Sequence, residues 1–445
     1  MTGKNGEAKV AFYTLGCKVN YADAEALVGL FRQEGFHVVD FQHKADIYVI
    51  NTCTVTHVSD RKSRQVIRQA KRKNPEAMIV VTGCYAQVSP QEVSALEEVD
   101  LVWGTRNRHY LPGAIREKAA ERVCVKPFLC SPHGDESQVA WDNLPWNPQQ
   151  ERTRAFLKIQ EGCQEYCTYC VVPYARGPLR SLPPEKVLEA ARQMVASGYK
   201  EIVLAGVHLG KYGSEFGDFS LVQLLERLLT LDNLFRVRLS SLEPMDITRE
   251  LVSLMRENLK ICRHLHIPLQ SGDNDVLSKM KRPYNGSHFI MLMDFLKEQL
   301  PGIALTSDVM VGFPGEGELE FLNTKKVLEK AGLARLHVFK FSARKGTPAA
   351  NFSGQVPSLL KEKRSKELIL LGEKMEKQFR QSLRGKTEAV LFERKVGNYL
   401  EGLTEHYIKV RAYAPEGRRG EIWLTRLAED KQDYYVGEII SFLKK

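Results

Sequence analysis

Six of the nine cysteines in this 445-residue chain fall into two patterns that could hold a metal. Cys163, Cys167 and Cys170 lie in "EGCQEYCTYC", spaced C-x3-C-x2-C, and the "VVPYARGPLRS" that follows supplies neither a fourth cysteine nor a histidine. Three thiolates at this spacing can each bind one iron of a four-iron cluster, and the missing ligand leaves one iron open to a substrate or cofactor. A closed structural zinc site would want a fourth Cys or His close by; a zinc with three ligands and a water stays open as the alternative. Cys17, Cys53 and Cys84 form the second pattern, each following the apolar run of a strand candidate at "TLGC", "VINTC" and "VVTGC". In a parallel sheet the C-terminal strand ends share one edge, so thiols distant in sequence can meet there. Taken singly, each could be a small buried hydrophobe. Identical placement on three successive strands makes that the weaker reading. Cys124 and Cys130 fall in a linker candidate and Cys262 in an apolar strand, and these three read as structural.

The elements that must carry these residues are legible from periodicity. Over residues 8–120, "KVAFYTL", "DIYVINTC" and "AMIVVTGC" alternate with amphipathic stretches such as "ADAEALVGLFRQEGF", which predicts an N-terminal parallel α/β sheet domain. Residues 121–150 are rich in proline and polar side chains, without sustained periodicity, and read as a linker. Over 151–378, six strand candidates ("AFLKIQ", "EIVLAG", "FRVRLSS", "HLHIPLQ", "ALTSDVMVG", "RLHVFKFS") each precede a helix-length segment. They predict a partial (β/α)6 barrel with its chemistry at the C-terminal strand ends. Over 379–445, short strands broken by glycine predict a small antiparallel β-barrel.

Composition narrows the setting. The N-terminus has no apolar run of signal-peptide length and nowhere do eighteen apolar residues follow one another, so the expectation is a cytoplasmic chain without a membrane span. Thiols there stay reduced and serve as ligands or catalytic groups. A net charge of +10 points to a polyanionic partner. "RKSRQVIRQAKRK", residues 61–73, carries seven basic residues and no acid, although such a run can also be a solvated helix face. Tyr399, Tyr407 and Trp423 stand among basic side chains in the last domain, where they could stack on bases or fill the core.

The C-x3-C-x2-C loop, with the aromatic Tyr169 before its last cysteine, resembles that of the radical S-adenosylmethionine enzymes. With the upstream cysteine trio and the small terminal barrel, the likeness extends over nearly the whole chain and is to the methylthiotransferases, whose terminal domain is called TRAM and binds RNA. "TLGCKVN" at 14–20 is similar to the branch that acts on threonylcarbamoyladenosine in tRNA. The ribosomal-protein branch usually reads "SLGCPKN", and the isopentenyladenosine enzymes carry a different set there. Further matches are "LAGVHLGKYG", "RLSSLEP", "HIPLQSG", "VGFPGE" and "KGTPAA". Tyr21, Ala22, Gly317 and Lys340 depart from the branch's pattern and remove no ligand.

The resemblance implies two 4Fe-4S clusters, one held by Cys17, Cys53 and Cys84 and one by Cys163, Cys167 and Cys170, with S-adenosylmethionine on the open iron of the second. It implies methylthiolation at carbon 2 of the nucleoside at tRNA position 37. The implied partners are the tRNA anticodon loop and an electron donor such as flavodoxin or ferredoxin. Cofactor contacts are expected from Tyr169, from Gly206, Val207 and His208 in "AGVH", and from Glu243, Ser271 and Asp308 at later strands. Gly206 could equally be a turn residue and His208 a structural histidine. No protein acid–base pair is evident.

Overall fold

The computed structural model describes residues 8–121, 141–142, 144 and 152–443. The N-terminal sheet is parallel, with β1 (Lys9–Thr14), β2 (His37–Val39), β3 (Ile47–Thr52), β4 (Met78–Gly83) and β5 (Leu101–Val102) in the order β2-β1-β3-β4-β5. Both faces are covered: Ile67, Ala70 and Val93 pack on one, Phe31, Leu111 and Ile115 on the other. Every residue of "IYVINT" in β3 is therefore buried. The strand order reverses direction between β1 and β3, and a crevice opens at the C-terminal edge of such a switch point. Cys17, Cys53 and Cys84 follow β1, β3 and β4 there. The short edge strands β2 and β5 carry no sequence signal that separates them from loops.

All six predicted barrel strands are present: β6 (Arg154–Lys158), then, after the two-residue ladder of β7 (Gln160–Glu161) and β8 (Arg180–Ser181), β9 (Glu201–Ala205), β10 (Arg236–Leu239), β11 (His264–His266), β12 (Ala304–Val311) and β13 (Arg335–Lys340). They form two parallel three-stranded sheets, β6-β9-β10 and β11-β12-β13, joined by the bridges Val237–Ile261 and Ser241–His266. Alternate residues, among them Leu157, Leu204, Leu239 and Leu265, pack outward into one apolar core with the helices. The interleaved residues, which include the polar Lys158, Arg238, His266 and Asp308, face the barrel interior, following the two-residue period of a strand. Cys262 is buried beside this wall.

The last domain is a closed five-stranded barrel, ordered β14 (Thr387–Val396), β15 (Tyr399–Leu403), β16 (Lys409–Tyr413), β18 (Tyr435–Phe442) and β17 (Ile422–Asp430). It is antiparallel except where β16 pairs with β18 in parallel. Cys124 and Cys130, with most of the linker candidate, lie outside the described residues. Trp141 and Asp142, inside that candidate, are packed: Trp141 lies against the barrel core and Asp142 accepts Arg108 Nε at 3.1 Å. Among the described residues no helix is long and apolar enough to cross a membrane.

Candidate functional site: two thiol trios at one domain interface

Backbone geometry sets both trios. Gly83 has φ +94°, and a Cβ there would strike Thr52 O at 2.5 Å, so only glycine turns the chain this way before Cys84. Gly162 plays the same part before Cys163, with φ +78° and Pro178 O 1.8 Å from the position of a Cβ. The thiols of each trio influence one another. Burial pushes Cys53 up to about 11, and the neighbouring Cys84 and Cys17 add to the rise. Burial likewise takes Cys170 to about 12, with Cys167 and Cys163 contributing. Buried thiols in such company are poor anions until a cation shares them. Sulfurs sharing one zinc lie within about 4.6 Å of each other. Among the described residues neither trio has its sulfurs within 4.8 Å; the one metal-ligand group that tight is Glu388, Glu405 and His406 in the last domain. In a four-iron cluster each thiolate takes its own iron, so the sulfurs need not converge on one ion.

Each trio also receives a hydrogen-bond donor or an ionisable neighbour. Arg282 Nη1 donates to Cys167 Sγ at 3.3 Å and its other amino group pairs with Glu243. His208 Nδ1 lies 3.8 Å from Cys163 Sγ, and its Nε2 meets Asp246 Oδ2 at 2.7 Å. Burial opposes the charge on His208, but Asp246 and Cys163 raise it to about 9. Arg176, on the segment following the second trio, donates from Nε to Cys84 Sγ of the first at 3.3 Å.

Arg176 belongs to an ion cluster that ties the first two domains together. Its Nη1 meets Asp23 at 2.7 Å and Glu161 at 2.6 Å. Lys158 bridges the same two carboxylates at 2.6 and 2.9 Å, and Arg108 reaches Asp23 at 3.0 Å. Burial works against the carboxylates, yet these cations hold Asp23 well below the usual range and Glu161 at about 2. Farther along the interface Arg344 pairs with Asp60 at 2.7 Å. No local sequence signal announces this cluster, because its members come from distant segments.

The other expected contacts divide. Tyr169 is half-buried beside Arg282, Cys167 and Cys170, and burial raises its phenol. Gly206 and Val207 are half-buried at the end of β9; a Cβ on Gly206 would press on the Gln160 side chain at 3.0 Å. Asp308 meets His266 Nε2 at 3.3 Å inside the barrel. Ser271 directly follows Gln270, which bridges to Val309 of β12; it is fully buried, its hydroxyl set 3.2 Å from Thr324 Oγ1 and accepting from Asp273 N, so it also braces a helix start. Tyr407 is not on the outer surface of the last domain. It is inserted between the last domain and the barrel, its ring 3.9 Å from Arg238 Cζ. Trp423 packs on Phe442 and is tied to Glu421. Tyr399, by contrast, is exposed, stacked edge-on with Tyr413 and covered by Arg411. The basic run 61–73 is part of the helix His57–Lys73, and Glu92, Glu98 and Asp100 offset three of its cations.

Sequence reasoning missed Lys18. It follows Cys17 and turns its ammonium toward the Tyr407 ring, 5.7 Å away. Burial, with Arg238 and Arg154 nearby, lowers it to about 8.

Two family models match this chain. Residues 9–104 match the family described as "Uncharacterized protein family UPF0004" and residues 157–328 the radical SAM superfamily. The chain is 43% identical over 439 residues to a threonylcarbamoyladenosine tRNA methylthiotransferase MtaB of Bacillus subtilis, covering 97% of this chain and 96% of the relative. It is 40% identical to the protein of that name from Aquifex aeolicus, over 91% of this chain and 96% of the relative. A tRNA-2-methylthio-N(6)-dimethylallyladenosine synthase of Thermodesulfovibrio yellowstonii is 33% identical over 96% of this chain and 98% of that protein. Among solved structures, the radical S-adenosylmethionine methyltransferase TsrM of Kitasatospora setae, with cobalamin and a [4Fe-4S] cluster bound, shares the fold, with a TM-score of 0.57 at 18% identity over 78% of this chain and 77% of that one.

Proposed function

The chain belongs to the radical S-adenosylmethionine methylthiotransferase family, and we propose that it inserts a methylthio group at carbon 2 of threonylcarbamoyladenosine at tRNA position 37, beside the anticodon. The observation that carries the reading is the placement of two thiol trios on either side of one domain interface, linked by Arg176. Two 4Fe-4S clusters and S-adenosylmethionine supply, when bound, the one-electron chemistry and the sulfur transfer that no side chain provides. Cys163, Cys167 and Cys170 would hold the cluster that binds the cofactor, and Cys17, Cys53 and Cys84 the other.

The protein's own part is placement, charge and exclusion of water. Arg282 at Cys167 and Arg176 at Cys84 direct N–H groups at ligand sulfurs, and such donors tune a cluster's potential and fix its ligands. The buried carboxylates Asp23 and Glu161 neutralise Arg176 and Lys158, so the interface closes without a stranded charge. An external one-electron donor, such as flavodoxin or ferredoxin, completes the balance. The nucleoside at the tip of an anticodon loop can enter the barrel mouth unstacked, which a base in a duplex cannot.

Deleting the gene and digesting total tRNA for mass spectrometry tests the assignment. The methylthio form of threonylcarbamoyladenosine should vanish, with the unthiolated nucleoside accumulating and methylthio-isopentenyladenosine unchanged. Loss of the isopentenyl derivative instead would refute the substrate, as would a ribosomal protein lacking its methylthio group while tRNA is unaffected.

A further inference from the structure

Three domains meet around the ring of Tyr407. Lys18, from the N-terminal domain, sets its ammonium 5.7 Å from the ring centroid, while Arg154 and Arg238 of the barrel place their guanidinium carbons at 5.5 and 3.9 Å. His264 closes the ring edge-on at 4.8 Å. The charges are unequally satisfied. Arg238 is fully used: Nε donates to Glu201 at 2.7 Å and its amino groups to the carbonyls of Glu405 and Thr404. Arg154 spends only Nε, on Glu393 at 2.9 Å. Among the described residues, Lys18 has no carboxylate within 4 Å and no hydrogen-bond acceptor at all. A cation left this way beside other cations and against an aromatic ring is a site for an anion brought from outside.

We propose that Lys18, assisted by the free amino groups of Arg154, binds the carboxylate of the threonylcarbamoyl group and is the residue by which this enzyme selects its nucleoside. The inference rests on the reading of the substrate given above. The geometry also serves the reaction. Carbon 2 and the carbon 6 whose amino nitrogen bears the threonylcarbamoyl group flank the same ring nitrogen of adenine, so a carboxylate held by Lys18 turns that edge of the base toward Cys17. An isopentenyl group carries no charge and would leave Lys18 desolvated and unpaired, which penalises the wrong substrate as well as rewarding the right one.

The test measures binding to the reconstituted full-length enzyme without S-adenosylmethionine, so that no turnover intervenes. The probes are an anticodon stem-loop bearing threonylcarbamoyladenosine and the same stem-loop with that carboxylate converted to its methyl ester. Wild-type enzyme should prefer the acid by about ten-fold, the scale of one charge-assisted contact. Lys18→Met should erase the preference, Lys18→Arg should keep most of it, and the affinity of Lys18→Met for S-adenosylmethionine should be unchanged, which excludes the cofactor's own carboxylate as the partner. The inference is overturned if wild-type enzyme does not distinguish acid from ester, if Lys18→Met still does, or if Lys18→Met loses the cofactor. The acid–ester comparison on wild-type enzyme decides the matter even where a variant folds poorly. Wild-type enzyme that methylthiolates threonylcarbamoyladenosine yet shows no such preference refutes the role of Lys18 alone; wild-type enzyme that forms no methylthiolated product refutes the proposed function.

Discussion

Cys84 touches Arg176 and Cys167 touches Arg282, so at each trio one ligand sulfur already faces a guanidinium. The proposed function gives the two trios different steps, and substitution should separate them. Replacing Cys163, Cys167 and Cys170 with alanine should abolish reductive cleavage of S-adenosylmethionine, followed by chromatography of 5′-deoxyadenosine. Replacing Cys17, Cys53 and Cys84 should leave cleavage detectable and stop sulfur insertion. Methylthiolated product from the N-terminal triple variant would remove the second cluster from the account. The six cysteines were legible because spacing and strand-end placement are local. The surroundings of Ser271 and Tyr407 were not legible, for the opposite reason. What each side chain meets is decided by a partner far away in sequence: Thr324 for Ser271, Arg238 for Tyr407.

Among the elements, β9 and β10 do two jobs, lining the barrel and docking the terminal domain. Glu201 at the start of β9 accepts Arg236 Nε at 2.6 Å and Arg238 Nε at 2.7 Å, and both arginines donate onward to carbonyls of the terminal domain. Burial alone would raise Glu201, but the two arginines hold it at about 2, against an ordinary value of 4.5. Because the folded value is depressed, the carboxylate's contribution to stability is complete above about pH 4.5 and is lost as the pH falls toward 2. Glu201→Gln should strand two buried guanidinium charges and cost about 3–5 kcal/mol. Thermal unfolding at neutral pH should then shift down, and the variant should lose less stability than the wild type between pH 4.5 and pH 2. An unchanged melting temperature would show that Glu201 does not hold the two domains together. The six barrel strands were readable from their apolar runs. The strand β18 was not, since "YVGEIISF" sets glycine and a charge inside its period. The docking role of β10 was also hidden, because "RVRL" gives no sign of what its arginines grasp.

For the whole molecule, the proposed function makes the three domains parts of one reaction chamber. The N-terminal domain brings Cys17 and Lys18 to the barrel, the barrel supplies the second trio, and the terminal domain sets Tyr407 against Lys18 and Arg238 while leaving Tyr399 and Tyr413 exposed beside Arg411. Exposed aromatics beside a guanidinium suit stacking on unpaired bases. Removing the terminal domain would therefore do more than weaken RNA binding, since it would also unplug the chamber and strand Arg236 and Arg238. The central claim, that this chamber methylthiolates threonylcarbamoyladenosine in tRNA, is tested most directly on the purified enzyme. Anaerobically reconstituted protein, S-adenosylmethionine and a one-electron reductant are incubated with tRNA bearing either threonylcarbamoyladenosine or isopentenyladenosine at position 37, and the nucleosides are read by mass spectrometry. Conversion of threonylcarbamoyladenosine to its methylthio derivative, with isopentenyladenosine left unchanged, is the predicted result; conversion of isopentenyladenosine instead, or of neither nucleoside by protein carrying both clusters, would contradict it.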